Sequence, residues 1–135
     1  MEWSKILPNS CPPNDAESKS IVVYRFLKSE SIEPQHFLTV RELAPNRPFP
    51  DLEKECRACS LSVLTDKEEV IRLQKTVPRF RQPAAVGKLQ ENSGKVKHTP
   101  SAGQANSSHH SWWIPTNVNP CDLFNEIIKL PNIAS

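Results

Sequence analysis

Seven consecutive residues, Ser107-Ser108-His109-His110-Ser111-Trp112-Trp113, form the densest run of functional side chains in the sequence. Imidazoles can ligate a metal or move a proton near neutral pH, and indoles can stack on a nucleobase. The plainer account is a strand that turns one tryptophan to the core and the next away, with the histidines bordering a loop. Loop-edge histidines and aromatics are better guides to ligand contact than core ones. His109, His110, Trp112 and Trp113 are therefore candidate contact residues.

Cys56-Arg57-Ala58-Cys59 is a C-x-x-C. A structural zinc needs four thiolate or imidazole ligands, and no second C-x-x-C completes the set. Cys11, Cys121, His98 and the His109-His110 pair are what the chain offers, none at a diagnostic spacing. The zinc alternative is thus Cys56, Cys59, His109 and His110, and the expectation is no metal. As a redox pair the cysteines lack a helix N-terminus to lower the thiol pKa, and Glu53 and Glu55 stand beside them. Small, reduced, partly buried cysteines are the simpler reading.

Between Arg72 and His98 seven basic side chains stand against Glu91 alone, a net +6, although the whole chain carries only +2. Arg79-Phe80-Arg81 interleaves an aromatic ring with guanidinium groups, whose planar fork pairs with phosphate. Arg79, Arg81, Lys88, Lys95 and Lys97 are candidates for an anion-binding or nucleic-acid-binding face, with Trp112 or Trp113 as a stacking surface. A solvated basic face is the plain alternative. The pI of 8.4 falls short of the value near ~9 expected of a dedicated nucleic-acid domain.

Arg25 interrupts the apolar run Ile21-Val22-Val23-Tyr24-Arg25-Phe26-Leu27. β-Branched and aromatic residues suit a pleated, half-buried surface, so the run reads as a strand. A cation there must be paired or must line a cleft, because an unpaired buried charge is costly. Structural pairing with a glutamate is one reading and ligand binding the other.

These residues need a frame. The chain has 135 residues, 37% of them hydrophobic, which is about one domain. Residues 8–20 hold three prolines and little to bury, so residues 1–20 read as a disordered or extended arm. Pro34 opens a helix with Phe37, Val40, Leu43 and Ala44 at helical spacing. Ser60 to Leu64 alternates as a short strand, and Thr65 with Glu68 forms a capping-box pattern ahead of a helix that Pro78 closes. Val86–Gln90 and Lys95–His98 read as a hairpin about Asn92-Ser93-Gly94. Residues 99–108 read as a mobile loop, Trp112–Ile114 as a strand, and Asn119-Pro120 as the start of a final helix with Leu123, Phe124, Ile127 and Ile128 on its apolar stripe. The expected fold is a single α+β domain over 21–130, with a mixed or antiparallel sheet packed by about three helices.

Several classes are excluded. The sequence lacks G-x-x-x-x-G-K-[ST], G-x-G-x-x-G, G-x-S-x-G and H-E-x-x-H, and three glycines against thirteen prolines leave little room for a phosphate-cradling loop. No apolar run approaches the roughly 20 residues of a membrane span, and the N-terminus lacks a secretory h-region. The expectation is a cytoplasmic protein with reduced cysteines.

The elements YRFLK at 24–28, PQHF at 34–37, CRACSLSVLTD at 56–66, TP at 99–100, and SHHSWWIP followed by VNPCDLF resemble a group of small uncharacterised bacterial proteins. That resemblance covers most of residues 21–125 and implies a coherent fold without an activity. The chain is also faintly similar to the ADP-ribosyltransferase-like superfamily. Those domains often carry an Arg or His on the first core strand, then a Ser/Thr-containing strand running into a capped helix, then a late strand before a short helix. Arg25, then Ser62 and Thr65 ahead of Glu68-Glu69-Val70, then Trp113 to Phe124 follow that order. The similarity implies NAD as ligand, with Arg25 on a phosphate or ribose, Ser62 or Thr65 in the nicotinamide pocket, and His109 and His110 nearby. It departs in one respect: no glutamate stands by the late strand where the superfamily's catalytic acid usually lies, and Glu126 falls on the last expected helix.

The residues alone therefore favour a non-catalytic binding or accessory protein that presents a basic, aromatic-flanked face to nucleic acid or an acidic protein, with no cofactor. The alternatives are a dinucleotide-binding enzyme of the ADP-ribosyltransferase-like kind and a zinc-stabilised interaction domain.

Overall fold

The computed structural model describes residues 1–100, 104 and 107–130. It is an α+β fold of two three-stranded antiparallel sheets and three short α-helices. Strand β1, Ile21–Phe26, pairs along its length with β3, Ala84–Leu89, which pairs on its other side with β6, Phe124–Ile128. The second sheet has β5, His110–Trp113, at its centre. It is flanked by β2, Leu61–Val63, and β4, Lys95–His98. Reciprocal backbone bonds of 2.8 and 2.9 Å between Tyr24 and Leu64 join the two sheets edge to edge.

Both sheets contribute to one core. Val23, Ala85, Leu89 and Phe124 from the first meet Leu61, Val63, Val96 and Trp112 from the second, with Phe37 between them. Non-directional burial of such apolar area is the main force that holds a small domain together. Gly94, at φ +129°, turns the chain between β3 and β4 where a Cβ would run into the Trp113 carbonyl and come within 2.8 Å of Trp112 Nε1. Only a residue without a Cβ fits there.

Asparagine, aspartate and threonine caps set the helix starts. Thr39 and Glu42 form a reciprocal capping box before α1, Val40–Leu43, Asp51 caps α2, Leu52–Ala58, and Asp66 caps α3, Lys67–Thr76. Prolines open the three 3-10 turns Pro34–Phe37, Pro78–Phe80 and Pro120–Leu123, at positions where the missing N–H costs little.

Several expectations are corrected. The stretch beginning at Pro34 is a 3-10 turn and a separate helical turn, because Thr39 restarts the helix. The cap of α3 is Asp66, and the Thr65 N–H is taken by Ser108 Oγ. β3 and β4 do not form a hairpin: β1 and β6 occupy both edges of β3, so the chain crosses to the other sheet. The final helix is instead a 3-10 turn and β6, since the free edge of β3 supplies strand pairing for Ile127 and Ile128. The segment 1–20 is attached to the domain and runs through turns closed by Leu7–Ser4 and Ala16–Pro13 backbone bonds. Glu17 bridges Val96 through two 2.8 Å bonds, and Trp3, Leu7 and Cys11 pack around Ala16, Cys56 and Trp113. Cys11 and Cys56 are joined in a disulfide, so these two cysteines are not reduced. The expected loop at 99–108 lies partly outside the described residues. Its described ends are bonded, Thr99 N–H to the His109 carbonyl at 2.9 Å and Ser108 to Glu69. No helix among the described residues is long and apolar enough to cross a membrane.

Candidate functional site

The seam where β1 meets β2 opens into a cleft of about 950 Å³, within the ~300–1,000 Å³ usual for ligand sites. Arg25 is part of its lining. Val23 and Arg25, two residues apart, share one face of β1: Val23 is buried in the core, and Arg25, nearer the end of the strand, lines the cleft. The Arg25 guanidinium donates from Nε to the His36 carbonyl and from Nη1 to the Ser62 carbonyl, each at 3.0 Å. It has no carboxylate partner among the described residues, so the expected pairing with a glutamate is corrected. Burial lowers its pKa to about 10, which still leaves it charged at neutral pH. A cation held by neutral carbonyls keeps its charge uncompensated.

Helix α3 forms one wall. Glu69 and Arg72 both line the cleft, and their carboxylate and guanidinium lie 3.8 Å apart. The buried Glu69 carboxylate accepts from the Ser108 hydroxyl at 2.7 Å and the Ser108 N–H at 3.0 Å. Ser108 Oγ in turn accepts from the Thr65 and Asp66 N–H groups, each at 3.1 Å. The cap of α3 is thereby fastened to the approach to β5. Another part of the lining is aromatic: Phe26 and Phe80 stack with centroids 4.8 Å apart, and Arg79 lies 4.8 Å over the Phe80 ring.

His109 and His110 part company, as neighbours on an extended chain must. His109 lines the cleft. Its Nδ1 lies 2.7 Å from the Thr99 carbonyl and 3.0 Å from Thr99 Oγ1, and burial holds its pKa below the ordinary imidazole value. His110 is buried away from the cleft, its ring 5.1 Å from that of His98. Burial lowers its pKa as well, with the Ser108 carbonyl opposing the shift.

Of the dinucleotide candidates, the fold thus brings together Arg25, Ser62 and His109, with Thr65 just beyond the lining and His110 apart. The basic-face candidates are not gathered. Arg79 lines the cleft, Arg81 ends its 3-10 turn exposed, Lys88 stands on β3, and Lys95 and Lys97 lie on β4 in the other sheet, with Lys97 paired to Asp15 at 3.0 Å. Trp112 and Trp113 are 0% and 1% exposed, and their indole N–H groups donate to the Ser93 and Cys56 carbonyls. Neither can stack on a ligand, which corrects that expectation. The zinc set is not assembled either. Cys56 is in the disulfide, Cys59 is a separate buried thiol, and the described residues contain no group of three or more potential metal-ligating side chains.

Sequence reasoning missed Glu69, Arg72 and the Phe26–Phe80 wall. Its one usable signal was the i, i+3 spacing of Glu69 and Arg72 on the first turns of a helix that follows a short strand. No family model, curated protein or solved structure matches the chain.

Proposed function

We propose that this protein binds a dinucleotide of the NAD type in the cleft at the β1–β2 seam, as its similarity to the ADP-ribosyltransferase-like superfamily implies. The observation that carries this reading is Arg25: a charged guanidinium, without a carboxylate partner among the described residues, held by two carbonyls in the lining of a ligand-sized cleft. Arg25 meets a phosphate or ribose, Ser62 lines the nicotinamide end, and the Phe26–Phe80 wall takes a base. Support comes also from convergence, since Arg25 on the first strand, Ser62 on the second and His109 just ahead of the late strand line one cavity. A pre-oriented fork loses little further entropy when it meets an anionic oxygen.

The basic-face reading retains Arg79 but has lost its stacking tryptophans, and its lysines stand on different sheets. The two separate by salt. Calorimetric titration with NAD⁺, ADP-ribose and a short RNA at 50 and 200 mM salt is the test. Dinucleotide binding that changes only a few-fold between them, and that weakens at least tenfold in Arg25→Lys, is the expected result. RNA binding that falls by ~10³ or more over the same range, with no dinucleotide bound, overturns it in favour of the basic face.

A further inference from the structure

The second polar anchor of the cleft is an acceptor. An imidazole nitrogen 2.7 Å from a backbone carbonyl must carry the proton, because the carbonyl has none to give. The Thr99 carbonyl therefore sets His109 in the Nδ1–H tautomer. Thr99 is itself held: its N–H donates to the His109 carbonyl, and its hydroxyl lies 2.9 Å from Ser111 Oγ in the interior. The ring has no freedom to exchange roles. Nε2 is left with its lone pair and has no protein partner among the described residues.

None of the charged groups that line the cleft offers a free acceptor. Arg25 and Arg79 only donate. The Glu69 carboxylate is engaged by Ser108 and Arg72. His109 Nε2 is thus a built acceptor in the same cleft as a built anion anchor, both held by backbone carbonyls.

We propose that His109 is a specificity-determining residue that accepts a hydrogen bond from a ligand hydroxyl through Nε2, so that the cleft selects nucleotides with an intact ribose over their deoxy counterparts. This rests on the nucleotide reading above and deepens it. A ligand without the hydroxyl leaves Nε2 dry and unpaired, and a site built around one donor rejects the analogue lacking it.

The probes are ADP and 2′,3′-dideoxy-ADP, titrated into the full chain, the His109→Phe variant and the His109→Gln variant, with NAD⁺ alongside. Thermal melts establish that each variant is folded. The native chain is expected to bind ADP at least about tenfold more tightly than the dideoxy form, the equivalent of one hydrogen bond. His109→Phe should remove the difference by weakening ADP alone, and His109→Gln, whose amide oxygen can accept, should restore part of it. Imidazole ¹⁵N shifts of the free protein should report a protonated Nδ1 and a bare Nε2. Equal binding of the two probes, a preference that survives in His109→Phe, or the opposite tautomer overturns the inference and leaves the dinucleotide site standing. Binding of NAD⁺ with neither ADP probe bound overturns it in the same way. Failure of NAD⁺ and both ADP probes to bind removes the nucleotide reading and this inference together.

Discussion

Arg25 on β1 donates through Nη1 to the carbonyl oxygen of Ser62 on β2, 3.0 Å away. The bond crosses the seam between the two sheets, a few residues from the Tyr24–Leu64 bridge that joins them. One side chain therefore fastens the cleft and supplies its charge.

Replacing Arg25 tests both roles. Arg25→Met removes the donors to His36 and Ser62 and strands two carbonyls, which costs about 1–3 kcal/mol. Arg25→Lys keeps the charge without the fork, so it should recover less than half of that loss. Urea unfolding of the two variants reads the difference. Equal stability of the native chain and Arg25→Met would mean that these bonds do not hold the seam.

Glu69 and Ser108 give the second prediction. The carboxylate receives both Ser108 donors, and the Ser108 hydroxyl receives the Thr65 and Asp66 N–H groups. Hydrogen bonds to a charged group are worth about 1.5–3 kcal/mol. Glu69→Ala should lose that much, and Ser108→Ala a similar amount. Because the two act as one unit, the double variant should cost far less than their sum. Additive losses in a double-mutant cycle would show the two residues to be independent.

Where the sequence was legible, one local signal dominated. β1 was readable because six β-branched, aromatic and apolar positions surround a single charge, and the β2-to-α3 step because a short alternating run meets a cap. β6 was not, because Leu123, Phe124, Ile127 and Ile128 match a helical stripe equally well, and only the unpaired edge of β3 decides for a strand. The tryptophans misled for a related reason. Two adjacent indoles on a central strand both become buried when the first 20 residues cover the outer face, and the Cys11–Cys56 bond that places those residues has no signature in spacing. Of the cleft, Arg25, Ser62 and His109 were legible as residue types. Glu69 and the Phe26–Phe80 wall emerge only once α3 and the Pro78–Phe80 turn are folded against β1.

Acid should weaken the fold. Burial holds His109 and His110 below the ordinary imidazole value of 6.5. The titratable neighbours are Arg57, Glu69 and His98 around the first, and His98, Lys19 and His109 around the second. The folded protein keeps both rings neutral, so as pH falls the unfolded chain takes up protons first. Their contribution is fully present above pH 6.5 and is lost as pH drops through the depressed folded values. Melting temperature should therefore fall between pH 7.5 and pH 5, and less steeply in His110→Gln. An unchanged slope in that variant would exclude His110 as a source.

The disulfide should hold the N-terminal segment without forming the cleft. Cys11 and Cys56 are 45 residues apart, and closing a loop of that length stabilises by about 2–4 kcal/mol through the unfolded chain. No residue of the segment 1–20 lines the Arg25 cleft; Ser4, Ile6 and Leu7 instead line a smaller cavity of about 300 Å³ that Cys59 and Cys121 also border. Cys11→Ser should therefore lower the urea midpoint, and proteolysis should then cut before residue 20, where Ala16 and Trp3 pack on Cys56 and Trp113. Ligand affinity at the cleft should stay within about twofold, since sites that share no partners behave additively. Thiol titration of the denatured, unreduced chain should find two free cysteines, Cys59 and Cys121. Four reactive thiols, or a midpoint equal to that of the native protein, would mean that packing alone retains the segment. A large loss of affinity would instead tie the N-terminal segment to the cleft through the β4–β5 pair, whose Val96 it bridges.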